Sequence, residues 1–261
     1  MKNLVEARGV LKRKLRSRKT VFACWTSFSH PGISEIFCRS GVDFIGIDIE
    51  HSTISQEQSQ RIIAACHANN TLCLPRIASH NMEAIKRLLD SGADGIIVPM
   101  VNTAKEAKAI IEYCQYPPAG KRSFGIARAQ GYGFDFKEYV GSWNKSGSII
   151  VQIESAEGVE NIDAILSLGQ IEGAMVGPYD LSGSLNVPGQ LDHPKVLAAC
   201  KNVIAACKKH GKSCGTQDIE PSPESIKQAI KRGFTFVVLA SDVFLLWKWS
   251  QRMKKLTSIF R

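Results

Sequence analysis

Four short runs carry most of the residues able to do chemistry: Asp48-Ile49-Glu50-His51, Pro75-Arg76, Gln152-Ile153-Glu154 and Gly177-Pro178-Tyr179-Asp180. Glu154 and Asp180, brought together, suit one hard divalent cation such as magnesium or manganese. Such a cation takes few protein carboxylates and fills its other positions with water and substrate oxygens. His51 adds a base that works near neutral pH, and Arg76 a fixed positive charge for an oxygen that becomes an anion. A metal, a base and a cationic stabiliser suit proton abstraction, or C–C cleavage, next to a metal-bound carbonyl. A lysine Schiff base is the other route to carbonyl chemistry. It is disfavoured by position, because none of these runs holds a lysine, Lys121 lies in a long Pro- and Gly-containing connection, and most other lysines fall in helical segments.

The elements that must position these runs can be read from two alternating periodicities. Short β-branched runs predict strands at Val21–Thr26, Phe44–Ile49, Leu72–Arg76, Gly95–Pro99, Ile149–Glu154, Gly173–Val176, Ser213–Thr216 and Thr235–Leu239. Helical periods predict helices at Ile33–Ser40, Gln56–Ala68, Met82–Ser91, Ala104–Cys114, Val159–Leu168, Pro194–His210, Pro223–Arg232 and Val243–Ser258. Eight such units predict an α/β fold, a (β/α)8 TIM barrel formed as one domain over residues 1–261. A doubly wound sheet is the runner-up, but no Gly-rich fingerprint follows the first strand. An extra N-terminal helix over Asn3–Lys19 would cap the barrel floor.

In such a barrel the chemistry sits at the C-terminal ends of the strands, where all four runs fall. The strand period of two puts Gln152 and Glu154 on one face, and Asp48 and Glu50 on one face. Polar groups on the interior face of an apolar strand are costly unless paired or bound. The connection from 115 to 148 is long for filler. It begins near the lower rim and must climb over the barrel, or reach a neighbouring subunit, to take part in a site.

Composition narrows the setting. The 33 Lys+Arg exceed the 24 Asp+Glu by nine, and 44% hydrophobic with 22% charged residues is ordinary for a globular chain, excluding disordered, collagen-like and coiled-coil classes. The longest apolar runs, 236–240 and 243–247, are far short of the ~20 residues that span a bilayer, and no apolar segment follows the basic start as in a secretory signal. The eight cysteines include no CxxC pair and sit mostly in apolar periodic segments, as reduced thiols of a cytoplasmic protein do. Basic clusters at 12–19 and 248–261 accompany no nucleic-acid motif, so a solvated basic face explains them and no nucleic-acid partner is expected.

Six motifs then occur in order: Asp48-Ile49-Glu50-His51-Ser52, Leu74-Pro75-Arg76, Ile97-Val98-Pro99-Met100, Tyr116-Pro117-Pro118 with Gly120-x-Arg122, Val151-Gln152-Ile153-Glu154 and Gly177-Pro178-Tyr179-Asp180-Leu181-Ser182. Together they resemble the HpcH/HpaI family of metal-dependent pyruvate aldolases, over about Trp25 to Asp242. The resemblance implies a class II aldolase, a lyase that cleaves or forms 4-hydroxy-2-oxoacids from pyruvate and an aldehyde. It implies Glu154 and Asp180 as ligands of Mg2+ or Mn2+, with Co2+ also accepted. Arg76 would hold the C2 oxygen, Gln152 would position the oxoacid, and the Tyr179 backbone would lie against its carboxylate. Gly177 and Pro178 would hold the strand-six turn close to the ligand. His51 would act as general base and acid, with Asp90 of Leu88-Leu89-Asp90-Ser91-Gly92 as its partner. It also implies a homo-oligomer built from dimers, up to a hexamer, in which the last helix, rich in Phe244, Leu245, Trp247 and Trp249, packs on a neighbouring barrel. Asp218 and Glu220 stand where acidic substrates prefer neutral or basic groups, which argues against a dicarboxylic sugar acid unless Arg122 and Arg128 reach the site from a neighbouring protomer. A malyl- or citramalyl-thioester lyase, a phosphoenolpyruvate-using enzyme and a non-catalytic metabolite-binding barrel stay open as other uses of the same scaffold.

Overall fold

Eight strands close in chain order into one parallel barrel: β1 (Val21–Thr26), β2 (Phe44–Asp48), β3 (Leu72–Arg76), β4 (Gly95–Val98), β5 (Ser148–Ile153), β6 (Gly173–Val176), β7 (Ser213–Asp218) and β8 (Phe236–Ser241). The computed structural model describes residues 2–261. β1 pairs with both β2 and β8, so closure removes the exposed edge that an open sheet would leave.

Two cores follow from the strand period. One row of side chains, including Val21, Ala23, Phe44, Leu72, Leu74, Ile97, Ile150, Met175 and Phe236, fills the barrel interior. The alternate row, including Ile45, Ile47, Cys73, Ile96, Val151 and Ala174, packs outward against the helices. Helix α1 (Lys2–Arg16) seals the floor, and its Leu11 and Leu15 join the interior cluster. The floor helix predicted from the sequence is therefore present.

The outer ring contains α2 (Pro31–Cys38), α3 (Gln56–Ala68), α4 (Met82–Asp90), α5 (Ala104–Cys114), α6 (Phe136–Ser146), α7 (Ala156–Glu160), α8 (Ile162–Leu166), α9 (Pro178–Ser184), α10 (Pro194–Lys209), α11 (Pro223–Arg232) and α12 (Asp242–Ile259). Asn81 and Ser222 cap α4 and α11 as expected, each accepting backbone N–H bonds in the first turn. Three expectations change. The helix expected over Val159–Leu168 is split at Asn161 into α7 and α8. The long connection holds a 3-10 helix (Arg128–Gly133) and α6, whose buried Tyr139 and Trp143 pack beneath the barrel beside α1. The turn after β6 is the short helix α9. No helix among the described residues is long and apolar enough to cross a membrane.

Candidate active site

The interior rows do not stop at the last apolar layer. Continuing upward by twos, they deliver Trp25 on β1, Asp48 and Glu50 at β2, Arg76 on β3, Gln152 and Glu154 at β5, Gly177 after β6 and Gln217 on β7. At this C-terminal rim lies a cavity of about 330 Å³ bordered by Trp25, Asp48, His51, Arg76 and Gln152 on one side and by Gly177 to Asp180 on the other. Gln217, Ser241, Val243 and Phe244 complete its wall.

Arg76 is the fixed cation of this rim. Its Nη2 lies 2.8 Å from Asp48 Oδ1 and its Nη1 3.2 Å from Glu50 Oε2. Its Nε donates to Asp48 Oδ1 at 3.1 Å, and its guanidinium lies 5.2 Å from the centre of the Trp25 ring. Two carboxylates and one aromatic face thus hold the guanidinium in one orientation at the cavity wall. Asp48 Oδ1 also accepts the His51 backbone N–H at 3.1 Å, which ties the histidine's loop to the same pair.

Glu154 is buried, with 3% of its surface exposed. Its Oε1 accepts the Met100 N–H at 2.7 Å, and its Oε2 accepts a short hydrogen bond from the Gln152 amide. Met100 presents that N–H from a left-handed backbone conformation, φ +51°, uncommon for a residue with a side chain. Burial pushes the Glu154 carboxyl above the usual carboxylate range; the bonds from Gln152 and Met100 pull it back in part, and the Asp180 charge adds to the rise. Burial likewise raises Glu50, against the pull of Arg76 and with the push of the Glu154 charge. Gln152 Oε1 is buried without a hydrogen-bond partner. A buried, proton-hungry carboxylate with a second carboxylate near it fits a divalent cation. Among the described residues no three of His, Cys, Asp and Glu are grouped as a metal cage, and a two-carboxylate site open to water and substrate is the arrangement magnesium or manganese accepts.

Gly177 makes the approach possible. A Cβ built there would overlap Glu154 Oε2, so the β6 turn comes this near only because position 177 has no side chain. Pro178 starts α9 and Asp180 lies in its first turn. Asp180 and Tyr179 are both exposed and border the cavity. The His51 side chain is 62% exposed, with Nε2 3.7 Å from Glu50 Oε2.

Asp90 is placed elsewhere. It ends α4, the helix that returns from the top of β3 to the base of β4, and so lies at the floor. There its Oδ1 accepts from Arg122 Nη2 at 2.7 Å. The expected pairing of Asp90 with His51 is therefore not made within the chain. A reading from local motifs places a residue on its helix but does not tell which end of the barrel that helix end occupies.

The wall opposite Arg76 depends on a break in pairing. The β1–β8 register shifts between Ala23 and Trp25, and Ala240 takes φ +60°, a bulge that sets Ser241 at the cavity. The next residue, Asp242, is buried and accepts the backbone N–H groups of Ser27, Phe28 and Val243 at 2.8–3.0 Å, and the Thr26 hydroxyl at 3.1 Å. It binds the end of β1 to the start of α12. Asp218 and Glu220 turn to other partners. Asp218 accepts from the Ser225 hydroxyl at 2.5 Å, and Glu220 pairs with Lys248 at 2.7 Å. Gln217, the neighbour of Asp218, borders the cavity instead. The sequence reading missed the roles of Trp25, Met100 and Asp242. Trp25 continues the interior parity of Val21 and Ala23 and could have been found by it. Met100 acts through its backbone, and no residue-type signal marks it.

A family model described as HpcH/HpaI aldolase/citrate lyase matches residues 21–248. A hydroxypyruvate/pyruvate aldolase of Roseobacter denitrificans is 33% identical over 237 residues, 90% of this chain and 91% of that protein. A 5-keto-4-deoxy-D-glucarate aldolase of Klebsiella pneumoniae is 30% identical over 242 residues, covering 93% of this chain and 94% of that one. The crystal structure of an HpcH/HpaI aldolase/citrate lyase family protein from Burkholderia cenocepacia superposes with a TM-score of 0.89 at 26% identity, over 96% of this chain and 99% of that chain. With its eight-stranded parallel barrel and the carboxylate–arginine rim just described, the chain belongs to the HpcH/HpaI aldolase/citrate lyase family and is an enzyme, an aldolase.

Proposed function

We propose that the whole chain is one catalytic domain, a class II aldolase that breaks the C3–C4 bond of a 4-hydroxy-2-oxoacid to give pyruvate and an aldehyde. The observation that carries this is Glu154, a buried carboxyl raised by burial, within reach of the Arg76 charge and hydrogen-bonded to Gln152, which lines the cavity together with Arg76 and Asp180. Glu154 and Asp180 would hold Mg2+ or Mn2+, with Co2+ a third candidate, and the bound ion would supply Lewis-acid polarisation of the C2 carbonyl. Arg76 binds the C2 oxygen and stabilises its negative charge as the bond electrons move to C2–C3. His51 takes the proton from the C4 hydroxyl, and the aldehyde leaves as that oxygen forms its carbonyl. The same imidazole returns a proton to C3, completing pyruvate. Gln152 positions the oxoacid through the amide N–H side that also reaches Glu154, and the Tyr179 backbone at the Gly177–Pro178 turn receives the carboxylate.

The exposed apolar side chains of α12, Leu245, Leu246, Trp247 and Trp249 among them, support assembly of dimers or of a hexamer built from dimers. The eight cysteines are all free thiols, seven of them buried, which supports a cytoplasmic setting.

The test is pyruvate release from a panel of 4-hydroxy-2-oxoacids, coupled to lactate dehydrogenase. Release abolished by EDTA and restored by Mn2+ or Mg2+ is the expected result. Release that survives EDTA overturns the metal mechanism, and no release with any metal overturns the aldolase reading for that panel.

A further inference from the structure

We infer that the acceptor side of this cavity selects aldehydes that carry no negative charge, so that the oxoacid substrate bears its only carboxylate at the pyruvate end. The inference rests on the aldolase reading above and goes on to name the other half of the substrate.

The chain has a surplus of nine positive charges, yet its catalytic rim is nearly free of them. The connections that follow β1 to β7, residues 27–30, 49–55, 77–81, 99–103, 154–155, 177 with 185–193, and 219–222, contain no Lys or Arg, and β8 runs directly into α12. Arg76, at the end of β3, is the cation that borders the cavity; Asp48 and Glu50 pair with it on one side and its open side is committed to the C2 oxygen. Lys105 and Lys195, one residue inside α5 and α10, are exposed and do not border the cavity. Lys248 is paired with Glu220.

Charge balance follows from these residues. A divalent cation and Arg76 together carry three positive charges, and Asp48, Glu50, Glu154 and Asp180 carry four negative charges when ionised. The rim is therefore at or below neutrality before the oxoacid brings its own carboxylate. Among the described residues of the protomer no second cation borders the cavity to meet another carboxylate, and the nearby charges repel one. The acceptor wall instead offers Ser27, Gln217 and Ser241 between Trp25, Val243 and Phe244. Neutral donors and acceptors between apolar faces suit a short hydroxylated aldehyde.

The experiment measures aldol addition of pyruvate, with Mn2+ present, to two uncharged aldehydes (glycolaldehyde and glyceraldehyde) and two anionic ones (glyoxylate and succinic semialdehyde). The uncharged pair is expected to exceed the anionic pair in kcat/KM by about tenfold or more, the scale of one uncompensated like charge. Gln217→Lys, checked by circular dichroism for folding, should move that ratio toward the anionic aldehydes by a similar factor. Equal or better use of the anionic aldehydes by the natural enzyme overturns the inference. Exchange of the pyruvate methyl protons with D2O, followed by NMR without any aldehyde, tests the underlying enolate chemistry separately. Exchange with anionic aldehydes preferred removes the selectivity alone, whereas absence of exchange removes the aldolase reading and this inference with it.

Discussion

Two arginine–carboxylate pairs stand at opposite ends of the barrel with almost the same contact. Arg76 meets Asp48 at 2.8 Å at the top, and Arg122 meets Asp90 at 2.7 Å at the floor. Their surroundings differ. Arg122 is 1% exposed and lies 4.6 Å, 4.9 Å and 5.5 Å from the ring centres of Tyr116, Trp143 and Tyr139, so aromatic faces close around it. Arg76 has one such ring, a second carboxylate in Glu50, and a cavity on its open side. An arginine enclosed by aromatic rings works as a structural joint, with its Asp90 partner at the edge, 19% exposed. The same pair with one side open keeps a charge available to a ligand. The role comes from the enclosure and not from the residue types.

Substitutions can break or sharpen this contrast. Arg122→Ala leaves Asp90 without its partner and opens a space among three aromatic rings. It should cost about 3–5 kcal/mol of stability, measured by urea unfolding, while the folded fraction keeps its turnover. Arg76→Ala should act first on turnover: kcat/KM falls by about 10²–10³-fold, as when one oxyanion donor is removed, together with a loss of stability from the Asp48 and Glu50 carboxylates left unpaired. If each variant shows the other's phenotype, the contrast is wrong.

Asp90→Asn is sharper still. A structural Asp90 predicts a loss of about 1–3 kcal/mol and an unchanged rate. A rate loss at unchanged stability would instead place Asp90 against His51 of another copy of the chain.

Glu154→Gln should abolish EDTA-sensitive turnover and yet raise metal-free stability by about 0.5–2 kcal/mol, the usual scale when a functional strain is removed. Burial raises the Glu154 carboxyl, so its favourable contribution is complete below the unfolded carboxyl pKa and is lost as pH climbs through the raised folded value. The metal-free variant should lack that loss in a pH series of melting curves, with the Gln152 amide turned so that its free oxygen faces the new donor. The smallest effect belongs to Glu112→Gln. Glu112 pairs with exposed Lys121, next in sequence to Arg122, and removing a solvated pair should leave both the midpoint and the rate unchanged.

Much of the barrel was legible because strand identity and facing depend on local alternation. All eight strands fell within two residues of their predicted ends, and the parity that put Gln152 with Glu154 also holds for Trp25, Arg76 and Gln217. Helix α6 was not read. Its buried Tyr139, Trp143 and Ser146 follow a helical spacing, but Gly131, Gly133 and Gly141 punctuate the stretch and mask the period. Asp90 shows a different limit. Its helix was predicted nearly to the residue, yet its partner Arg122 is 32 positions away, across a connection whose path no local pattern encodes. Met100 acts through its own backbone N–H, and the Asp242 carboxylate serves backbone N–H groups of Ser27, Phe28 and Val243; backbone donors have no residue-type signature.

Gly177 has a consequence for how such a molecule can change over generations. Its missing side chain is what lets the β6 turn rest against Glu154, so almost any mutation there collides with Glu154 and Gln152, the oxoacid half of the proposed site. The acceptor half is built otherwise, from Gln217, Ser241 and Phe244 at the ends of β7 and β8 and the start of α12, where side chains can be exchanged without moving Glu154 or Arg76. One end of the substrate is thereby locked into the backbone and the other is left to drift. On the proposed reading, a duplicated copy of this gene can acquire a new aldehyde by a few cavity-facing substitutions while inheriting the enolate chemistry intact.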